Sequence, residues 1–125
     1  MKKEIIPSSN RQVKDIKKLL FVCNLNRNRS RTAEDTLKDN ENYEVSSAGI
    51  LEDSVKKLTR QDLEWADMVF VFEERQRKWI AENFPTEYLK KKIITLNIPD
   101  IYDYMHPELV RLIKERLKDN GVKFH

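Results

Sequence analysis

Residues 19–30 of the chain read LLFVCNLNRNRS, an apolar run that ends at Cys23 and gives way to a helical pattern after Arg29. A strand that turns directly into a helix leaves the first N–H groups of that helix unpaired, and such groups attract an anion. The same N–H groups, the helix dipole and a nearby guanidinium would also favour the thiolate form of a cysteine. The stretch therefore predicts a loop that holds a phosphate beside a nucleophilic sulfur.

The loop between Cys23 and Arg29 contains no glycine, although a ring of inward N–H groups usually needs positive φ angles. Asn24, Asn26 and Asn28 alternate through it instead, and asparagine is among the few other residues that tolerate the left-handed region. We interpret all three as substitutes for glycine. We expect Asn26 to brace the loop through hydrogen bonds of its side chain.

The residues at the two ends of the loop suit phosphoryl transfer. Cys23 is the predicted nucleophile, and Arg29 is predicted to bind two phosphoryl oxygens with its planar guanidinium. The hydroxyl of Ser30 is expected either to cap the helix or to hydrogen-bond the sulfur. The remaining loop residues are expected to surround the phosphoryl group of a substrate: Asn24, Leu25, Asn26, Arg27 and Asn28.

Apolar runs and helical patterns alternate along the rest of the chain. Strands are predicted at residues 19–22, 43–45, 68–72 and 93–98. Helices are predicted at residues 30–39, 59–66, 73–84 and 107–118, with a capping box from Thr59 to Asp62 and a stop at Pro85. This alternation indicates an α/β fold, a small doubly wound parallel sheet of four strands in the order 2-1-3-4 with helices on both faces. Ligands of such sheets bind beyond the carboxyl ends of the strands, where Cys23 and Asp100 both fall.

Composition fits one small globular domain, since the chain has 125 residues, 39% of them hydrophobic and 36% charged. We place this domain at residues 18–125, after an N-terminal extension at residues 1–17 to which we assign no function. No apolar stretch reaches membrane length and the charged start does not resemble a signal peptide, so we expect a cytoplasmic protein without a membrane partner. The single cysteine excludes an internal disulfide, which fits a reducing compartment.

Residues 99–104, PDIYDY, offer two carboxylates for proton transfer. A leaving phenol or alkoxide oxygen needs a proton, which Asp100 or Asp103 would supply, and the same group as carboxylate would later activate a water molecule. Tyr102 and Tyr104 are candidates for the walls of a slot for an aromatic ring, with simple packing as the alternative for each.

The chain resembles the low-molecular-weight protein tyrosine phosphatases over residues 18–119. Residues 19–34, LLFVCNLNRNRSRTAE, are similar to the family's strand and phosphate loop, C-x-G-N-x-C-R-S-P-x-A-E; the matches are Cys23, Asn26, Arg29, Ser30, Ala33 and Glu34. Three further segments follow in the family's order: Ser47-Ala48-Gly49 resembles its S-A-G, residues 62–73 (DLEWADMVFVFE) resemble its D-L-x-x-A-D-x-I-x-x-M-D, and Asp100-Ile101-Tyr102 resembles its D-P-Y.

This resemblance implies a phosphomonoester hydrolase that acts on phosphotyrosine through a phosphocysteine on Cys23, with no metal and no cofactor. It favours Asp100 over Asp103 as the general acid and implies that Tyr102 lies beside the substrate ring. It also places Ser47 beneath the loop, where the Ser47 hydroxyl would meet Asn26.

Departures from the family pattern indicate a short, divergent branch of bacterial type. Leu25 replaces the family's glycine, Asn28 its second loop cysteine and Arg31 its proline, and D-P-Y has lost its proline. The segment between Gly49 and Thr59 is short where the family usually carries another helix.

Two other functions remain open. An arsenate reductase-like enzyme could use the same fold, except for the version that relays oxidation through further cysteines of its own chain. A binding module could retain the anion loop without turnover, and Arg27, Arg29 and Arg31 could then contact a nucleic acid. A net charge of +3 does not require that partner, so we expect a phosphorylated protein or a small aryl phosphate and no nucleic acid.

Overall fold

The computed structural model describes residues 16–124, so residues 1–15 of the predicted N-terminal extension lie outside the described part of the chain. Its strands are β1 (Lys17–Cys23), β2 (Tyr43–Gly49), β3 (Met68–Val71) and β4 (Lys92–Thr95). Its helices are α1 (Arg29–Leu37), α2 (Arg60–Trp65), α3 (Glu74–Asn83), α4 (Pro85–Lys90) and α5 (Pro107–Asp119).

The strands form one parallel sheet in the order β2-β1-β3-β4, which confirms the predicted topology. β1 lies between β2 and β3, and its last residue, Cys23, pairs with Gly49 at the end of β2. Val22 pairs with Val71 at the end of β3. The carboxyl ends of the three strands therefore meet at one edge, which positions the loop after Cys23.

Alternate residues of β1 contribute to two separate apolar cores, because successive side chains of a strand point to opposite faces. On one face, Leu19, Phe21 and Cys23 belong to a core that α1 and α5 complete with Leu37, Leu109, Ile113 and Leu117. On the other face, Leu20 and Val22 belong to a core that α2 and α3 complete with Leu63 and Ile80. Each buried leucine or phenylalanine contributes about 1.5–3 kcal/mol. The two cores hold β1, and with it Cys23, from both sides.

Local signals set the starts of two helices. The capping box of α2 is present as predicted: the N–H of Asp62 donates to Thr59 Oγ1 at 3.1 Å, and the N–H of Thr59 donates to Asp62 Oδ2 at 3.0 Å. At the start of α5, His106 Nδ1 accepts a hydrogen bond from the N–H of Glu108 at 3.0 Å, and Pro107 occupies the first turn.

Several element boundaries differ from the prediction, and three of the differences are large enough to discuss. β2 continues to Gly49 rather than residue 45, because residues 46–49 pair in register with residues 20–23 of β1 despite being small and polar. β4 ends at Thr95 rather than at residue 98. The helix that was predicted to stop at Pro85 is α3, which ends at Asn83. Pro85 also begins a further helix, α4, that was not predicted, and the first turn of a helix suits its fixed φ angle.

Candidate active site

The loop of residues 23–29 joins β1 to α1 and places its two predicted catalytic residues at fixed ends. Cys23 is the last residue of β1 and is buried. Arg29 is the first residue of α1 and its side chain is only 1% exposed. The thiol and the guanidinium thus belong to regular elements rather than to the loop between them.

The loop turns its carbonyl groups outward. Three consecutive carbonyl oxygens accept hydrogen bonds from backbone N–H groups of residues 50–58: Cys23 from Ile50, Asn24 from Leu51 and Leu25 from Val55, each at 3.0 Å. In a planar trans peptide the N–H points away from the carbonyl that precedes it. The N–H groups of Asn24, Leu25 and Asn26 therefore point away from residues 50–55, an orientation that suits the predicted anion site.

Gly49 allows this close contact between the loop and β2. A Cβ atom at this position would lie 2.8 Å from the carbonyl oxygen of Asn24 and would also meet the side chain of Ser54. Because a backbone atom cannot move as a flexible side chain can, only glycine fits here without displacing the loop.

The hydroxyl of Ser30 lies against the sulfur of Cys23, and the side chain of Asn26 holds that hydroxyl. Asn26 Nδ2 donates to Ser30 Oγ at 2.8 Å, and Ser30 Oγ lies 3.0 Å from Cys23 Sγ. Since the serine oxygen already accepts a hydrogen bond from Asn26, its own proton is available to the sulfur. Of its two predicted roles, Ser30 therefore has the contact with the sulfur, and the start of α1 has no side-chain capping hydrogen bond.

Asn26 has the left-handed conformation that was predicted for all three asparagines, with φ 58°. The prediction is wrong for the other two. Asn28 has φ −114°, and Asn24 is not among the positive-φ residues of the described chain. The loop therefore contains one left-handed residue, and hydrogen bonds from residues 50–55 hold the peptide groups that precede it.

A second layer of side chains holds Asn26. Its Nδ2 also donates to Ser47 Oγ at 2.9 Å, as predicted, and Ser47 Oγ donates in turn to Glu34 Oε1 at 2.5 Å. Glu34 matches the family motif but had no predicted role. Both amide hydrogens of Asn26 are therefore used, which fixes the orientation of its side chain.

Arg29 is surrounded by partners that the sequence analysis did not identify. Its Nη1 donates to Glu73 Oε2 at 2.6 Å and to the carbonyl oxygen of Ile98 at 2.8 Å. Its guanidinium carbon lies 5.7 Å from the centre of the Phe72 ring. A buried charge needs such partners, and they hold the guanidinium beside the loop.

Glu73 follows β3 and is the main counter-charge of Arg29. Burial raises the pKa of the Glu73 carboxyl, but the hydrogen bonds and positive charges of Arg29 and Arg75 outweigh this effect and hold the pKa below its ordinary value. Glu73 is therefore ionised at neutral pH, as a partner of a buried guanidinium must be.

Gln76 connects the loop to the start of α3 and was also missed. Its Nε2 donates to Asn24 Oδ1 at 3.0 Å, while its Oε1 accepts from the N–H groups of Phe72 (2.7 Å) and Glu73 (3.0 Å). The side chain of Asn24 thus contacts the protein rather than standing free inside the loop.

The two candidate acids lie in the segment that leads from β4 to α5. Asp100 Oδ1 lies 3.7 Å from Arg29 Nε, and half of its side chain is exposed. Asp103 is exposed, and its carbonyl oxygen accepts the N–H of His106 at 3.0 Å. The structure therefore brings Asp100 to Arg29.

The remaining predicted residues occupy the rim of the site. Tyr102 is half-buried, packs against the core beneath α5 and has its ring centre 5.4 Å from that of His106. Tyr104 is exposed, and its hydroxyl donates to Asp35 of α1. In the loop itself Leu25 and Asn28 are half-buried and Arg27 is exposed.

Residues 16–124 contain no cluster of three or more histidine, cysteine or acidic side chains placed to hold a metal ion. Over the same residues, no helix is both long and apolar enough to cross a membrane.

Solved structures that are similar to this chain include several phosphatases. The YwlE arginine phosphatase of Geobacillus stearothermophilus is 25% identical over 87% of this chain and 99% of its own, with a TM-score of 0.61. A low-molecular-weight protein tyrosine phosphatase of Streptococcus pyogenes is 18% identical over 86% of this chain and 95% of its own, with a TM-score of 0.71. Wzb of Vibrio vulnificus, solved with benzylphosphonate, is 22% identical over 83% of this chain and 96% of its own, with a TM-score of 0.67.

No protein-family model and no curated protein sequence matches the chain. The structural matches confirm the resemblance to the low-molecular-weight protein tyrosine phosphatases that the sequence indicates, and the chain has the fold of that class.

Proposed function

We propose that this protein is a phosphomonoester hydrolase, a protein tyrosine phosphatase that works through a phosphocysteine on Cys23. One observation carries the proposal: three consecutive carbonyl groups of the loop that begins at Cys23 are held outward, which turns the three N–H groups that follow them to the opposite side. An anion-binding loop around a thiol that lies within hydrogen-bond distance of the Ser30 hydroxyl is suited to phosphoryl transfer.

In the first step the Cys23 thiolate attacks phosphorus, an S–P bond forms and the P–O bond to the leaving group breaks. Asp100, as the protonated acid, gives its proton to the departing oxygen. The inward N–H groups of the loop and the Nε and Nη2 of Arg29 bind the equatorial oxygens, whose negative charge is spread in the transition state. Because Nη1 is engaged with Glu73 and Ile98, the guanidinium is oriented before the substrate arrives.

In the second step Asp100, now a carboxylate, takes a proton from a water molecule whose oxygen attacks phosphorus. The S–P bond breaks, phosphate leaves and the Cys23 thiolate is regenerated with the hydrogen bond from Ser30. No step needs a metal ion or a redox partner, so a chelator should leave the rate unchanged.

Phosphoarginine is a second candidate substrate, because one solved structure with this fold is an arginine phosphatase. The leaving guanidine is cationic, and Asp100 and Asp103 would place acidic groups beside it. Turnover of phosphotyrosine and phosphoarginine peptides of one sequence, compared side by side, distinguishes the two.

The proposal is tested by turnover of p-nitrophenyl phosphate, measured for the wild type, for Cys23→Ser and for Ser30→Ala. We expect Cys23→Ser to be inactive while keeping the fold, because a serine hydroxyl is far harder to ionise than a thiol. Ser30→Ala should be slower but active. Absence of turnover by the wild type, together with tight binding of RNA or DNA near physiological salt, would instead support the binding module.

A further inference from the structure

The chain stays in contact with β3 after β4 ends, but the pairing becomes irregular. The N–H of Leu96 donates to the carbonyl oxygen of Val71 at 2.8 Å. The N–H of Ile98 donates to the carbonyl oxygen of Phe72 at 3.0 Å. In a regular parallel ladder the hydrogen bonds are evenly spaced, so donors two residues apart meet acceptors two residues apart. Here the two acceptors are neighbours in sequence, so Asn97 is an extra residue on its side of the pair, as in a β-bulge.

Asn97 has a left-handed backbone at this bulge. Its φ angle is 59°, and its side chain is exposed to solvent. Asparagine is among the few residues besides glycine that adopt this conformation readily, whereas a β-branched residue there is an outlier. Because the side chain is exposed, the backbone conformation is the property of Asn97 on which the following residues depend.

The residue after the bulge contacts Arg29. Ile98 has its side chain fully buried in the core that α1 and α5 complete. Its carbonyl oxygen accepts a hydrogen bond from Arg29 Nη1 at 2.8 Å. Two residues later, Asp100 Oδ1 lies 3.7 Å from Arg29 Nε. The direction in which the chain leaves Asn97 thus sets the positions of the Ile98 carbonyl and the Asp100 carboxylate relative to the guanidinium.

We propose that Asn97 is a positioning residue for the phosphoryl-transfer site, and that it acts through its left-handed backbone rather than through its side chain. This inference rests on the proposed function, in which Arg29 binds the phosphoryl group. A residue that resists the left-handed region would turn the Ile98 carbonyl and disturb its hydrogen bond with Arg29. A small displacement is enough, since a shift of about 1 Å in a catalytic group can cost about a hundredfold in rate.

The experiment compares substitutions of Asn97 that differ in their tolerance of positive φ. Asn97→Gly tolerates it, Asn97→Ala does so poorly and Asn97→Val least. For each variant, kcat for p-nitrophenyl phosphate and the inhibition constant of inorganic phosphate are measured at a temperature at which circular dichroism shows the variant to be folded. We expect Asn97→Gly to stay within about twofold of the wild type in both quantities, and Asn97→Val to lose about tenfold in kcat and severalfold in phosphate affinity. Asn97→Ala takes the place of Asn97→Val if the latter does not fold.

Met105 provides the matched control, because it is a second exposed residue of this connection with a left-handed backbone, at φ 60°. Its N–H donates to Thr32 Oγ1 of α1 at 2.9 Å, whereas the hydrogen bonds of Arg29 go to Glu73 and Ile98. Met105→Val imposes the same kind of backbone strain. It should lower the unfolding free energy in urea, as Asn97→Val does, but leave the inhibition constant of phosphate unchanged.

Equal kcat and phosphate affinity in Asn97→Gly and Asn97→Val would overturn the inference. A loss in Asn97→Gly as large as in Asn97→Val would assign the effect to the side chain and contradict it as well. The same fall in phosphate affinity in Met105→Val would show a general effect of strain, which also refutes the proposal.

If the wild type does not hydrolyse p-nitrophenyl phosphate, the proposed function fails separately. Direct titration of inorganic phosphate into the wild type and the Asn97 variants then decides the role of Asn97. Weaker binding by Asn97→Val than by Asn97→Gly would support a positioning role at the anion site. Equal binding by the two variants, or no binding by the wild type, would overturn it.

Discussion

Arg29 is buried in the candidate site and held there by a counter-charge and a backbone carbonyl. An arginine that binds phosphate at the end of a surface loop would be expected to lie in solvent until the ligand binds. Here it is 1% exposed, paired with Glu73 and hydrogen-bonded to the carbonyl oxygen of Ile98. This arrangement places the guanidinium before binding, so that little side-chain entropy is lost when the phosphoryl group arrives.

Arg29→Lys keeps the charge but removes the planar fork that contacts Glu73, Ile98 and two phosphoryl oxygens together. We expect kcat for p-nitrophenyl phosphate to fall by roughly a hundredfold or more, as for a lost transition-state contact. Arg31→Lys, a change at the next arginine of α1, is the matched control and should have little effect. Near-normal kinetics of Arg29→Lys would refute the assigned role.

Glu73 makes the stability of the fold depend on pH. Its pKa in the folded protein lies below the ordinary value of 4.5, so the unfolded chain takes up a proton first as the pH falls. The stabilisation from the ionised carboxylate is therefore present above the ordinary pKa and is lost as the pH falls through the lowered one.

Urea unfolding of the wild type and of Glu73→Gln at a series of pH values tests this expectation. The wild type should be the more stable protein near neutral pH, and the difference should shrink below about pH 4. A difference that stays constant across the acidic range would show that the Glu73 charge is not responsible.

The roles of Asp100 and Asp103 can be distinguished by how strongly the rate of each variant depends on the leaving group of the substrate. Asp100→Asn should slow phosphotyrosine, whose leaving oxygen needs a proton, much more than an aryl phosphate whose leaving group departs as a stable anion. Asp103→Asn should slow both substrates little and equally. The opposite pattern would assign proton transfer to Asp103.

At the scale of elements, the loop of residues 23–29 depends on the left-handed conformation of Asn26. Asn26→Gly loses the side-chain hydrogen bonds to Ser30 and Ser47 but adopts φ 58° without strain. Asn26→Ala loses the same hydrogen bonds and adds about 1–2 kcal/mol of backbone strain. We expect Asn26→Ala to have the lower unfolding free energy in urea, and equal stabilities of the two variants would contradict this account of the loop.

The order of the strands could be predicted from the sequence because strong local signals mark the alternating elements, and the rules for crossover connections leave few arrangements of them. The apolar runs that become β1 and β3, and the capping box of α2 at Thr59, are readable without knowing the fold. The end of β2 could not be predicted, because residues 46–49 are strand only through pairing with β1. The start of α4 was missed because a proline after α3 signals both the end of one helix and the start of another.

At the scale of the whole molecule, the site is assembled from residues that only the topology brings together. Cys23 and Arg29 are close in sequence, so their relation was predictable from one segment. Glu73 and Ile98 follow two other strands and meet Arg29 only because those strands end at the same sheet edge as β1. A sequence motif can therefore predict a nucleophile and an anion loop, while the residues that hold the arginine require the fold.

Direct detection of a phosphocysteine tests the central claim, covalent catalysis by Cys23. The chain contains a single cysteine, so any phosphothiol must be on Cys23. Asp100→Asn, which lacks the proposed base for the attacking water, is mixed with an aryl phosphate, quenched within its first turnovers, digested and analysed by mass spectrometry. We predict a phosphoryl group on the peptide that carries Cys23, and its absence from the same digest of Cys23→Ser. Turnover by the wild type with no phosphocysteine in any quenched sample would contradict the account.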